Sequence, residues 1–189
     1  PVTVTADKQA KTYGDEDPAL TYTTIGLMDG DSLSGSLDRA AGEDVDTYAI
    51  NQGTLGNSNY DITFTSDDLT ISQKALTVTA DAKSKTYGDS DPTLTYTTDG
   101  LVGTDSLSGS LDRATGEDVD TYAINQGTLG NSNYDITFNS ADLTIGAKAL
   151  TVTAAAKTKV YDSNDPALTY SSIGLKTGDS ITGDLSRAT

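Results

Sequence analysis

The chain has 189 residues, of which 28 are acidic and 12 basic, and it contains no His, Cys or Trp. A net charge of −16 would repel nucleic acid and anionic lipid, so both are excluded as partners. Without His or Cys there is no Ser-His-Asp triad, no Cys-His pair and no imidazole or thiolate metal ligand. No apolar run is long enough to span a bilayer. We therefore expect no enzyme, no catalytic or cofactor-binding residue and no membrane insertion in this fragment.

A repeat of 74 residues organises the sequence. Lys11–Tyr22 reads KTYGDEDPALTY, Lys85–Tyr96 reads KTYGDSDPTLTY and Lys159–Tyr170 reads KVYDSNDPALTY. A fixed period of this length predicts small tandem modules. The third unit covers only about half of the pattern, so the sequence resembles a slice of a longer array. The predicted modules are residues 1–72, 73–146 and 147–189.

Strand signals dominate each unit, in which apolar and polar residues alternate. The predicted strands are Val2–Thr5, Tyr48–Leu55, Tyr60–Phe64 and Asp68–Ile71, with copies at Leu76–Thr79, Tyr122–Ile124, Tyr134–Phe138 and Asp142–Ile145, and Leu150–Thr153 in the third unit. Gly56-Asn57-Ser58-Asn59 has strong turn chemistry, which predicts a hairpin between Tyr48–Leu55 and Asn59–Phe64. After Gly26, one short helical turn capped by Asp31 or Ser32 is the only helix that the sequence allows. The fold class is therefore mainly β, with at most one short helix in each module.

The joint between the units predicts their arrangement. Ile71 and Leu76 are an odd number of residues apart, so a continuous strand would place them on opposite faces. The chain must twist, bulge or break within Ser72–Ala75, which spans at most about 14 Å. Neighbouring modules are thus each other's nearest partners, and their like charges favour an end-to-end extended array. We expect the half unit to pack against the second unit or a neighbouring chain, covering an exposed strand edge.

Calcium is the main chemical alternative, because clustered carboxylates suit this cation. Acidic residues are frequent in Asp15-Glu16-Asp17, but Asp15 becomes Ser163 in the third unit. Only Asp17, Asp91 and Asp165 occur in all three copies, always directly before Pro. Asp before Pro also favours a turn, and a turn leading into a strand accounts for the pattern better than a ligand set does. We expect no metal site, with these three residues as the positions to test.

The ten tyrosines favour either carbohydrate stacking or packing. Tyr13, Tyr22, Tyr48 and Tyr60 recur at fixed positions in apolar-alternating segments. A small β module without Trp needs their bulk, so we interpret most of them as core or half-buried residues.

The motif string resembles a known family. Lys-x-Tyr-Gly-Asp-x-Asp-Pro-x-Leu-Thr-Tyr is followed by Asp-Ser-Leu-Ser-Gly, Gly-Glu-Asp-Val-Asp-Thr-Tyr-Ala-Ile and Asn-Tyr-Asp-Ile-Thr-Phe. Over essentially the whole chain, this is similar to the MBG repeat, YGX type, which occurs in tandem in large bacterial surface adhesins, including filamentous-haemagglutinin-like proteins. Two departures are Asp46 and Asp120 in place of Gly, and Asp162 at the Tyr-Gly position.

The resemblance implies an extracellular stalk or spacer at the bacterial surface, of the kind found in adhesins and biofilm proteins. It implies a mainly β fold and no catalytic residues. From Leu37–Ser72 to Leu111–Gly146, 32 of 36 positions are identical, which favours a task performed by repetition. The alternative is that the repeats themselves are a weak multivalent module for a glycan or protein, stiffened by calcium.

Overall fold

The computed structural model describes residues 1–188, which contain sixteen β-strands and no helix. The first repeat comprises β1 (Val2–Ala6), β2 (Gln9–Thr12), β3 (Tyr22–Ile25), β4 (Asp38–Arg39), β5 (Thr47–Asn51), β6 (Ile62–Thr65) and β7 (Asp67–Ser72). The second comprises β8 (Lys74–Ala80), β9 (Lys83–Thr86), β10 (Tyr96–Asp99), β11 (Asp112–Arg113), β12 (Thr121–Asn125), β13 (Tyr134–Asn139) and β14 (Ala141–Gly146). The third comprises β15 (Thr151–Ala154) and β16 (Tyr170–Ile173). The all-β fold predicted from the alternating pattern is confirmed.

Each complete repeat consists of two sheets, and the chain passes from one sheet to the other five times. In the first repeat the strand orders are β3-β1-β6 and β2-β7-β5-β4, and the second repeats them as β10-β8-β13 and β11-β12-β14-β9. Strand β1 is parallel to β6, and β2 is parallel to β7. Only Asp7-Lys8 separates β1 from β2, and only Ser66 separates β6 from β7. Two parallel chain segments therefore begin in one sheet and end in the other.

The core of the first repeat lies between these two sheets. Val2, Val4 and Ala6 on β1 are buried and alternate with half-buried threonines. They pack in one cluster with Ile50 of β5 and Leu69 of β7, from the opposite sheet. Burying each such aliphatic side chain contributes about 1.5–3 kcal/mol. This cluster explains why the period-two pattern of the sequence forms strands.

The segment after Gly26, where the sequence allows one short helical turn, forms no helix. The segment instead forms a turn in which the Asp31 N–H donates to the Met28 carbonyl over 3.1 Å, followed by a β-bridge between Ser34 and Gly56. Gly30 has a φ of +90° and Gly35 a φ of +84°, and neither value is compatible with a right-handed helix.

The predicted hairpin between Tyr48–Leu55 and Asn59–Phe64 is wrong. The turn itself forms, because the Asn59 N–H donates to Asn57 Oδ1 over 2.9 Å and the Tyr60 N–H donates to the Asn57 carbonyl over 3.0 Å. However, β5 pairs with β4 and β7, whereas β6 pairs with β1. The turn therefore carries the chain from one sheet to the other, because Leu55 before it is buried in the core between them.

The junction between the complete repeats is a single residue. Strand β7 ends at Ser72 and β8 begins at Lys74, so the break expected within Ser72–Ala75 falls at Gln73. Strand β7 pairs only within the first repeat and β8 only within the second.

Candidate functional site at the contact between repeats

The opening motif forms a turn at the end of the first repeat that meets the second. The Tyr13 N–H donates to the carbonyl of Ser72, the last residue of β7, over 2.9 Å, and the Asp15 N–H closes the turn onto the Thr12 carbonyl over 3.0 Å. Gly14, at the corner, has a φ of +82°, which glycine adopts without strain. This Tyr-Gly turn holds the Tyr13 side chain beside the joint with the second repeat.

The Tyr13 side chain packs against the second repeat. Its hydroxyl donates to Asp105 Oδ2 over 2.8 Å, and the Tyr134 hydroxyl donates to the same oxygen over 2.6 Å. The Val102 N–H donates to the Tyr134 hydroxyl over 2.9 Å. The two tyrosine rings meet edge to face, with centroids 5.4 Å apart, a favourable aromatic geometry.

A second contact lies beside the first. The Val45 N–H of the first repeat donates to Asn133 Oδ1 over 2.9 Å, and Asn133 Nδ2 donates to Asp44 Oδ1 over 2.8 Å. Asn133 is only 8% exposed, so these bonds satisfy an amide that would be costly to bury unpaired. We name Val102, Asp105, Asn133 and Tyr134 the docking face of the second repeat.

Glycine at position 14 is also needed for the close approach of the two repeats. A Cβ at Gly14 would lie 2.6 Å from Cγ2 of Val102, which is closer than van der Waals contact allows. Val102 is β-branched and rigid, so it could not move aside easily. The Tyr-Gly pair therefore serves the contact as well as the turn.

The carboxylate of Asp105 affects the pKa values of both tyrosines at the contact. Hydrogen bonds from Tyr134 and Tyr13 hold the pKa of Asp105 below its ordinary value. The hydrogen bond to Asp105, and then burial, raises the pKa of Tyr13, whereas for Tyr134 burial is the larger cause of a raised pKa. Both phenols therefore remain neutral donors to an ionised acceptor throughout the physiological range.

The same positions meet between the second and third repeats. The Tyr87 hydroxyl donates to Asp179 Oδ1 over 3.1 Å. Lys176, which replaces Val102, places its ammonium 4.5 Å from the Tyr87 ring centroid, within cation–π range. The third repeat thus contacts the second through a tyrosine side chain, and the expected covering of a strand edge is not part of this contact.

Asp17 of the opening motif lies in a different cluster, within its own repeat. Lys11 Nζ lies 2.7 Å from Asp17 Oδ1 and 2.5 Å from Glu43 Oε2, and Arg39 Nε lies 2.6 Å from Asp17 Oδ2. Arg39 also pairs with Glu43 and stacks over the Tyr48 ring at 5.3 Å. The bonds from Arg39, and then from Lys11, lower the pKa of Asp17 to about 2.

The cluster recurs and bears on the calcium hypothesis. The second repeat has the same ion pairs among Lys85, Asp91, Arg113 and Glu117. Asp165 pairs with Lys159 and Arg187. Within residues 1–188, no group of three or more carboxylates is arranged to hold a metal ion. Each candidate carboxylate therefore already binds two protein cations, which compete with calcium for its oxygens.

Sequence reasoning found the turn but missed both networks. The signal was available, because Asp31, Asp105 and Asp179 occur at the same position of every unit, as do Lys11, Lys85 and Lys159. Of the tyrosines taken as packing residues, Tyr22 and Tyr60 pack against the first core. Tyr13 instead packs against the core of the second repeat.

Fold and contact together define a tandem all-β repeat protein whose modules dock through a Tyr-Gly turn. The chain belongs to the MBG domain (YGX type) family, whose sequence model matches residues 2–70, 76–144 and 150–189. No curated protein and no solved structure matches the chain significantly. Among residues 1–188 there is no helix that could span a membrane.

Proposed function

We propose that these repeats are a semi-rigid spacer of an extracellular bacterial adhesin, which holds a distal binding domain away from the cell surface. The observation on which the proposal depends is the docking of Tyr13 on Asp105 across the joint. Family membership supports the extracellular location, since MBG domains occur in surface proteins and are not a known enzyme family.

Several attachments restrain the joint in different directions. The one-residue connection itself is anchored, because Gln73 Nε2 donates to the carbonyls of Ser132 (3.0 Å) and Tyr134 (3.2 Å). Tyr13 and Asn133 add bonds on the side of the first repeat. Each hydrogen bond contributes only about 0.5–1.5 kcal/mol, but together they oppose bending and rotation of one module on the next.

The charge and the repetition favour the same conclusion. A net charge of −16 opposes folding back of one module onto another. The near-identity of the two complete units keeps the contact residues in register, so that each added module extends the array by the same step.

Small-angle X-ray scattering tests the spacer. We expect an elongated particle for the native chain and increased flexibility for Asp105→Ala, which loses both phenol hydrogen bonds. The matched control is Asp31→Ala, which removes the equivalent carboxylate of the first repeat and leaves the joint intact. A compact native particle, or identical scattering of the two variants, would contradict the proposal.

The alternative is a weak multivalent binding module for a glycan or protein, stiffened by calcium. The position of the tyrosines favours the spacer, because Tyr13 is engaged in the joint and Tyr22 packs on the core. Glycan-array binding that depends on Tyr13 or Tyr22 would support the alternative. For calcium, we expect the same melting midpoint in EDTA and in excess Ca²⁺, since Asp17 and Asp91 are already paired with cations.

A further inference from the structure

The first repeat has a docking face of its own. Met28, Asp31, Asn59 and Tyr60 lie 74 residues before Val102, Asp105, Asn133 and Tyr134, and three of the four residues are identical. We propose that this face binds the Tyr-Gly turn of a further MBG repeat. The inference rests on the proposed spacer function and identifies the partner of this face.

The polar bonds of this face are already formed. The Tyr60 hydroxyl donates to Asp31 Oδ2, and the Met28 N–H donates to the Tyr60 hydroxyl over 3.2 Å. The same two bonds connect Tyr134, Asp105 and Val102 where Tyr13 is docked. The acceptor is thus held in its binding geometry without a partner, which reduces the ordering cost of association.

The two faces differ in how much of each side chain is exposed to solvent. Tyr134 is 3% exposed and Asn133 is buried, because the first repeat covers them. Tyr60 is only half-buried and Asn59 is exposed. Met28 is 70% exposed, although it is a large apolar residue. The first face therefore presents the same groups as the second, open to solvent.

These groups specify the chemistry of the occupant. It must present a phenol hydroxyl to Asp31, a free N–H and a carboxylate to the Asn59 amide, and a residue without a side chain beside Met28. The turn at Tyr13-Gly14, together with Asp44-Val45, presents this set to the second repeat. A flexible Met can adapt to the space that Val102 fills. The donors are neutral, so an acidic repeat can bind an acidic face.

Tyrosine nitration followed by peptide mass spectrometry tests the inference on an extended chain. A second copy of residues 1–74 is fused before the full chain, with Pro1→Ala so that the new joint has the sequence of Ser72–Ala75. Asp61→Glu in the added copy distinguishes its peptides by mass. In the native chain we expect Tyr60 to be nitrated and Tyr134 to be protected, with Tyr161, which is 90% exposed, as the internal standard.

In the extended chain we expect the original Tyr60 to lose its reactivity and to match Tyr134. Tyr13→Ala in the added copy should restore the nitration of Tyr60 and leave Tyr134 protected. If Tyr60 stays reactive while Tyr134 is protected, the inference on the first face is wrong and the spacer proposal stands. If Tyr134 is itself reactive in the native chain, the docking contact and the spacer proposal both fail.

Discussion

The second and third repeats contain the same strand in two environments. Strand β8 includes Leu76-Thr77-Val78-Thr79, and the third repeat has Leu150-Thr151-Val152-Thr153 at the same position. Leu76 and Val78 are fully buried, whereas Leu150 is 43% and Val152 is 44% exposed. Identical local sequence therefore does not determine the burial of this strand.

The difference lies in the neighbours of each strand. Strand β8 is flanked by β10 and β13. Among residues 1–188, strand β15 pairs only with β16, the counterpart of β10. The missing neighbour is the parallel strand, which in the second repeat lies about 60 residues further along the chain. In the two complete repeats of this chain, the core thus includes a late strand that returns to pair with the first one.

The largest effect is expected from truncating the buried Leu76 of β8, compared with truncating its exposed counterpart Leu150. Leu76→Ala should destabilise the second repeat by about 2–5 kcal/mol, because the cavity left at a fully buried position adds to the lost burial. Leu150→Ala should change stability by less than about 0.5 kcal/mol, as exposed positions usually do. Hydrogen exchange of the β8 and β15 peptides measures both effects. Equal effects would show that β15 is buried in solution.

A glycine pair isolates the steric part of the comparison. Gly109 has a φ of +85°, and a Cβ there would overlap the carbonyl oxygen of Thr128. Gly183, its counterpart, has a φ of +97°, and no atom of the described residues lies within 4 Å of such a Cβ. Gly109→Ala should therefore cost about 1–3 kcal/mol more than Gly183→Ala, because the steric overlap occurs only at Gly109 and the backbone strain is common to both variants. The shift in thermal midpoint measures the difference, and equal shifts would leave the backbone angle as the sole cause.

The sequence indicated four of the seven strands of the first repeat, namely β1, β5, β6 and β7, but not β2, β3 or β4 and not the pairing of the strands. Alternation located Val2–Thr5 within β1 and Asp68–Ile71 within β7, because a half-buried strand imposes period two on its residues. The pairing of β1 with β6 was missed, since the turn at Asn57 forms as predicted but leads into another sheet. Local turn chemistry does not specify which distant strand the chain meets.

The contact between repeats could not be predicted from local sequence patterns for a similar reason. Tyr13 and Asp105 are 92 residues apart, and the local sequence around either residue does not indicate the other as its partner. A twist, bulge or break within Ser72–Ala75 was predicted from the odd spacing of Ile71 and Leu76, which is a property of one short stretch. Which residues meet across the joint depends on how two modules are oriented. Comparing the sequences of the units shows which positions recur, but it does not give this orientation.

A smaller effect is expected from the repeated ion-pair cluster. Arg113 is largely buried, donates to the carbonyl oxygens of Ala114 and Gly116, and pairs with Asp91. Arg187 is mostly exposed and pairs with Asp165. Arg113→Ala should cost about 1–2 kcal/mol, whereas Arg187→Ala should cost less than about 0.5 kcal/mol. Thermal melts of the two variants measure the loss of stability. An equal loss in both would show that burial of the arginine does not strengthen its ion pair.

The smallest expected effect is a difference between the second and third repeats in how the aspartate of the same cluster titrates with acid. Hydrogen bonds from Arg113 and then Lys85 lower the pKa of Asp91 from 3.8 to about 2. A depressed pKa in the folded state gives stability that is present above pH 4 and is lost as the pH falls toward 2. Lys159 and Arg187 also lower the pKa of Asp165, but both are substantially exposed, so water screens their charges.

Carboxyl-carbon NMR titration resolves the two residues. We expect Asp91 to titrate near pH 2 and Asp165 to titrate above it. Arg113→Ala should raise the pKa of Asp91 and leave that of Asp165 unchanged. If Asp91 and Asp165 titrate together in the native chain, solvent exposure of the cations does not determine the pKa of the aspartate that they contact. In that case the strength of the ion pairs would be set by the local motif alone, independently of whether the module around it is complete.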